Sequence, residues 1–182
     1  MRTGLPLVEL MKRTLIICYS RRGWNYANGS VVYLERGNTE IAAEYIARET
    51  GAEIFGIETV KPYSDDYTAC TEEARAELRA GARPELRNYL SDISGYDNIV
   101  VAGPCWWGTY PCAVFSQLER LDFAGRKVFP LMTHEGSGMG RAAKDLAAVC
   151  RGAVIAPGLA VTGSAVANSR DMIAAWARKN LA

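Results

Sequence analysis

The stretch Thr14–Gly51, "TLIICYSRRGWNYANGSVVYLERGNTEIAAEYIARETG", decides the architecture. It opens with "TLIICY" (14–19), a continuous apolar run of the kind found in strands covered on both faces. It ends in an amphipathic helix over residues 38–50, with Ile41, Ala42, Tyr45 and Ile46 on one face and Gly51 as the stop. A strand and its following helix are usually joined by about two to six residues. Here residues 21–36 intervene. A turn signal at Asn28-Gly29 and the β-prone "SVVYL" mark them as an inserted excursion that leaves the strand and returns at Gly37-Asn38-Thr39.

Further strand–helix alternation follows. "AEIFGIETV" (52–60) reads as an edge strand, and residues 65–81 as a polar helix capped by Asp65 or Asp66. A linker containing Pro84 and a short helical turn lead to a third strand, 96–104. Residues 110–121 form a helix with Pro111 in its first turn, and 127–133 a fourth strand. Residues 136–152 read as a glycine-led helix and 153–163 as a fifth strand bent at Pro157-Gly158. Residues 169–181 close the chain as a helix with Met172, Ile173 and Trp176 inward. Such alternation predicts one α/β domain over 14–182, a three-layer α/β/α sandwich around a five-stranded parallel sheet in the order 2-1-3-4-5.

The 182 residues suit one domain, with residues 1–13 as an extension and Met11 as a second candidate start. With 21 basic and 20 acidic residues, the net charge of +1 favours neither nucleic acid nor an anionic membrane as partner. No run is apolar and long enough for a membrane span. The five cysteines have no metal-like spacing and read as reduced thiols of a cytoplasmic protein.

In a sheet of this order, ligands bind beyond the carboxyl ends of the strands, at the switch point between strands 1 and 3. After strand 1 stand Ser20 and, across the insert, Gly37, Asn38, Thr39 and Glu40. Hydroxyls beside a helix N-terminus make a phosphate cradle; alternatively, Asn38 or Thr39 is a plain helix cap. There is neither a P-loop lysine nor a GxGxxG. After strand 3 come Pro104, Cys105, Trp106, Trp107, Gly108, Thr109 and Tyr110, whose aromatic rings offer flat faces to a planar ring system or fill the core beneath the loop. After strand 4 come Thr133, His134, Glu135, Gly136, Ser137 and Gly138, a small and polar turn. A Cys105 nucleophile has only His134 available as its histidine partner. The three loops together describe a phosphate at the first and a flat ring between the other two.

Tyr19-Ser20 with Gly37-Asn38-Thr39, Gly103-Pro104-Cys105-Trp106-Trp107-Gly108-Thr109, and Thr133-His134-Glu135-Gly136-Ser137-Gly138 resemble the loops of the flavodoxin family. The resemblance runs from about Thr14 to the C-terminus, and the second and third motifs are the specific ones. It implies a flavodoxin-like fold and non-covalent FMN. The phosphate would lie at Ser20, Asn38, Thr39 and the backbone of Gly37–Glu40, and the isoalloxazine between Pro104–Tyr110 and Thr133–Gly138. It further implies electron transfer with a redox partner protein or a small-molecule acceptor. The alternatives are an FMN-dependent NAD(P)H quinone or nitro-compound reductase, and a cofactor-free interaction module, against which the intact loops argue. Residues 21–36 depart from short flavodoxins; Trp24, Tyr26 and Tyr33 either cover the flavin mouth or form a surface flap.

Overall fold

The computed structural model describes residues 12–182; the proposed extension and the candidate start at Met11 lie largely or wholly outside them. In chain order the elements are β1 (Thr14–Cys18), β2 (Gly23–Ala27), β3 (Ser30–Leu34), α1 (Asn38–Thr50), β4 (Glu53–Gly56), α2 (Tyr67–Ala80), β5 (Asn98–Pro104) and α3 (Cys112–Leu118). They continue with β6 (Lys127–His134), α4 (Ala142–Val149), β7 (Val154–Ile155), β8 (Leu159–Thr162), a 3₁₀ helix (Gly163–Asn168) and α5 (Arg170–Leu181). The main sheet is parallel, in the order β4-β1-β5-β6-β7, with β8 also on β6. Counted by βα unit this is 2-1-3-4-5.

Strand alternation builds both cores. Leu15, Ile17, Ile99, Val101, Val128 and Met132 face α3 and α4, where Ala113, Val114, Leu118 and Leu146 meet them. Ile16, Cys18, Val100, Ala102, Phe129 and Leu131 face α1 and α5, where Ala42, Ala43, Ile46, Ile173 and Ala177 meet them. Both faces are covered, which is why β1 and β5 read as unbroken apolar runs.

The fifth strand is split. β7 pairs with Lys127 and Val128, and β8 with Leu131–His134. The gap faces Pro130, which has no N–H to give to a ladder. Gly158 fits there because a Cβ would lie 2.5 Å from the Pro130 carbonyl oxygen.

Several boundaries differ from the sequence reading. α4 begins at Ala142, not near residue 136, because Gly136, Gly138 and Gly140 take φ values of +128°, +61° and +50°, outside helical geometry. The second strand ends at Gly56, after which Thr59 forms only an isolated bridge to Leu86. No helical turn forms after Pro84; the segment carries only the bridge at Leu86 and a bend at Arg87 before a turn at Ser94-Gly95. Ile173 is buried and Trp176 packs edge-on against Phe129, but Met172 is 46% exposed.

The insert is a separate antiparallel hairpin, β2 on β3, in register from Gly23–Leu34 to Ala27–Ser30. Asn28 and Gly29 both have positive φ, 50° and 86°, as a type I′ turn requires.

Candidate functional site

Strands β1, β5 and β6 are neighbours, so the loops after them converge. A cavity of about 320 Å³ lies there. Of the residues singled out in the sequence, Ser20, Asn38, Thr39, Pro104, Cys105, Trp106, Thr133, His134, Glu135 and Ser137 line it.

At one end Ser20 and the start of α1 meet. Ser20 Oγ accepts the Glu40 N–H at 3.0 Å. The helix cap is Gly37, not Asn38 or Thr39, and Gly37 has no side chain to bond with. The first bond to the Gly37 carbonyl comes from the Ile41 N–H, so the Asn38 and Thr39 N–H groups precede the intrahelical ladder. A Cβ on Gly37 would overlap Ser20 Oγ and lie 2.9 Å from the Arg21 carbonyl oxygen. Glycine is therefore what lets the two halves of the loop close on each other. The Thr39 side chain is turned inward: the residue is 2% exposed and its hydroxyl lies 2.7 Å from that of Thr133, tying the first loop to the third. Glu40 points away from the cavity and pairs with Arg22 at 2.9 Å and Arg36 at 3.8 Å.

In the second loop, Trp106 packs edge-on against Tyr19 and Tyr63, with centroids 5.4 and 5.1 Å away. One edge is thus fixed in the core while the side chain still lines the cavity. The remaining predicted residues of this loop do not reach that cavity. Tyr110 is 1% exposed and donates its hydroxyl to the Val101 carbonyl at 2.9 Å; it is the ring that fills the core beneath the loop. Thr109 is buried and bonded to Asp145. Trp107 and Gly108 line a second cavity, described below.

In the third loop, His134 Nδ1 accepts the Gly136 N–H at 2.9 Å, so His134 acts as a loop brace. Glu135 accepts two backbone N–H groups, from Asn28 at 3.0 Å and from Ser164 at 2.6 Å. Gly136 and Gly138 shape the turn without lining the cavity. Burial pushes the Cys105 thiol above its ordinary value, which keeps it protonated and removes the basis for a thiolate nucleophile.

The hairpin is the wall that sequence reasoning left open. Asn25, Tyr26 and Leu34 line the cavity, joined by Arg21, Tyr67 and Gly163. Arg22 and Arg36 on Glu40 and Glu44 hold its base, and Glu135 holds its tip. Tyr26 stacks on Tyr67 of α2 at 6.2 Å. The Arg21 guanidinium donates to the carbonyls of Ser64, at 2.8 Å, and of Trp24. Arg21 enters no ion pair among the described residues, so a cation lies at the cavity with its charge uncompensated. The polar–aromatic alternation of "RRGWNYANG" was the available signal for this wall; which of its residues face inward depends on how the hairpin folds back.

The family model described as Flavodoxin matches residues 30–180. The chain belongs to the flavodoxin family. No curated protein matches this flavodoxin-family chain. Among solved structures, a protein of Bacteroides uniformis described as a flavoprotein is 25% identical, with a TM-score of 0.71 over 92% of this chain and 98% of that one. A second such protein, from Bacteroides eggerthii, is 22% identical, with a TM-score of 0.65 over 90% of this chain and 98% of that one. A flavoprotein of Lactobacillus acidophilus, solved in complex with FMN, is 20% identical, with a TM-score of 0.62 over 86% of this chain and 97% of that one. The last two likenesses speak for the shared fold.

Proposed function

We propose that this chain binds FMN and carries electrons to or from a redox partner. The observation that carries the reading is the cradle in which Ser20 meets the open N-terminus of α1. The Ser20 hydroxyl, the Asn38 side chain and the Asn38 and Thr39 N–H groups would hold the phosphate. The slot between Pro104–Trp106 and Thr133–Ser137 would hold the ring. Bound FMN supplies the redox chemistry, while the chain binds it, orients it and shields it from water. Five unpaired cysteines support a cytoplasmic location.

The test is to load the purified protein with FMN and with riboflavin. One FMN per chain, bound more tightly than riboflavin, is expected; equal affinity refutes the phosphate cradle.

A second reading, an FMN-dependent NAD(P)H reductase of quinones or nitro compounds, has its own support. The net charge of +1 gives no long-range field for steering toward a basic protein partner. The hairpin also walls the site into a pocket suited to small molecules. Rapid anaerobic bleaching of the flavin by NADPH would favour this reading over the carrier.

A further inference from the structure

Behind Trp106 the site continues into a second cavity of about 420 Å³, between the second loop, the hairpin and α2. It shares Arg21, Asn25, Tyr67, Cys105, Trp106 and Ser137 with the first cavity, with which it is continuous. Its own walls are Cys70, Thr71 and Ala74 of α2, together with Trp107 and Gly108. This chamber has no counterpart of the Ser20–Gly37 cradle. Apart from Arg21 and Asn25, its walls are flat or small: two tryptophans and a tyrosine against a glycine, an alanine, a serine, a threonine and two cysteines.

Trp107 is held there at a cost. It takes φ +54°, a conformation that bulky side chains rarely adopt. Two contacts fix it: the indole N–H donates to the Thr71 carbonyl at 2.9 Å, and the Arg75 guanidinium lies 5.0 Å from the ring centroid. The residue nevertheless remains 45% exposed. A strained, clamped and accessible indole at a cavity wall fits a stacking platform better than a packing element.

The charge is one-sided. No carboxylate lines the chamber, Arg21 does, and Arg75 stands on the ring of its outer wall. Neither arginine is in an ion pair among the described residues. A third cation, Arg141, reaches the Gly108 edge, but it is partly compensated by Asp145 at 3.6 Å.

We infer that this second cavity binds a flat aromatic electron acceptor carrying an anionic substituent, such as a sulfonated or carboxylated quinone. The inference rests on the reductase reading above and names its substrate class. Reduction of such a quinone takes two electrons and two protons: reduced FMN, bound in the adjoining cavity, would supply both electrons and one proton together as hydride and return to its oxidised form, and solvent water would supply the second proton. The product is the hydroquinone, and NADPH or dithionite recharges the flavin.

Calorimetric titration of the FMN-loaded protein with a sulfonated anthraquinone and with its uncharged hydroxymethyl analogue tests this without relying on turnover. The sulfonated probe is expected to bind about tenfold tighter, about 1.4 kcal/mol. Arg75→Gln should lower that preference to about threefold, since Arg21 remains, while FMN affinity stays within about twofold. Thr71→Phe fills the chamber and should weaken both probes at least tenfold while FMN affinity stays within about twofold. Equal binding of the two probes overturns the inference. So does a loss of FMN affinity in Thr71→Phe as large as the loss of probe, because the chamber would then house the flavin ring itself. If the wild-type chain takes up no FMN, the functional reading fails, and the same titrations on the flavin-free chain still decide what the chamber binds.

Discussion

Gly37→Ala isolates the cradle. The added methyl overlaps Ser20 Oγ and comes to 2.9 Å from the Arg21 carbonyl, so the rigid backbone must yield along with the side chain. Overpacking of that kind costs about 1–3 kcal/mol. Displacing Ser20 also loses the Glu40 N–H bond, worth about 0.5–1.5 kcal/mol. The sum, about 1.5–4.5 kcal/mol, predicts a melting temperature lower by about 3–18 °C for a chain of this size. Because φ at Gly37 is −68°, ordinary for alanine, the cost comes from the clash and not from backbone strain. The ligand effect is separable. Losing one hydrogen bond to a charged phosphate costs about 1.5–3 kcal/mol, so FMN affinity should fall about 10- to 150-fold. Riboflavin, which has no phosphate, should change less than about twofold. Fluorescence titration of both flavins measures the pair. Parallel weakening of the two, or no weakening of FMN beside a lowered melting temperature, would refute the placement of the phosphate.

Thr39→Val severs the buried hydroxyl pair with Thr133 and should cost about 1–3 kcal/mol, read by urea unfolding, while Thr39→Ser recovers it; equal stability of all three proteins would deny that pair. Glu135→Ala frees the Asn28 and Ser164 amides, so hydrogen exchange at both should accelerate together, and acceleration at one alone would show that the tip is held otherwise. Burial raises the Glu77 carboxyl above its ordinary 4.5, so the fold favours the neutral form. That contribution is present below pH 4.5 and lost as pH rises through the folded value, so wild type should lose stability relative to Glu77→Gln above pH 4.5; a pH-independent difference contradicts this. Burial pushes Cys18 and Cys150 up to about 12, so neither should react with iodoacetamide at pH 8 in the folded protein, and mass spectrometry finding either labelled quickly would argue against the core packing.

The sheet was legible because its signal is dense. "TLIICY" and "NIVVAGP" are apolar on both faces, and only a strand sandwiched between helix layers tolerates that. The three loops were legible for a related reason, since topology brings the ends of β1, β5 and β6 to one edge. What escaped depended on side-chain direction. Nothing in "CWWGTY" says that Trp106 turns toward the cavity, Trp107 toward α2 and Tyr110 into the core. Those choices follow from the positive φ at Trp107 and from a hydrogen bond between Tyr110 and the Val101 carbonyl, nine residues back in sequence. Met172 escaped similarly, because it shares a helix pattern with Ile173 but lies just beyond the stripe that α5 buries. The hairpin's turn was readable from Asn28-Gly29, whereas its docking was not: Glu135, which grips the tip, is 107 residues away.

The contact between Ser20 and Gly37 has a topological consequence. Sixteen residues separate them in the chain, yet in space they touch, so the hairpin leaves and re-enters the fold at a single point. Its strands pair only with each other and contribute nothing to the ladder of the main sheet. A chain that passed directly from Arg21 to Gly37 would close the same cradle with an ordinary short βα connection and would lose only the wall. The hairpin is thus a detachable module, open to change in length, sequence and reach, and the strand-and-helix frame around Ser20 and Gly37 need not be rebuilt when it changes.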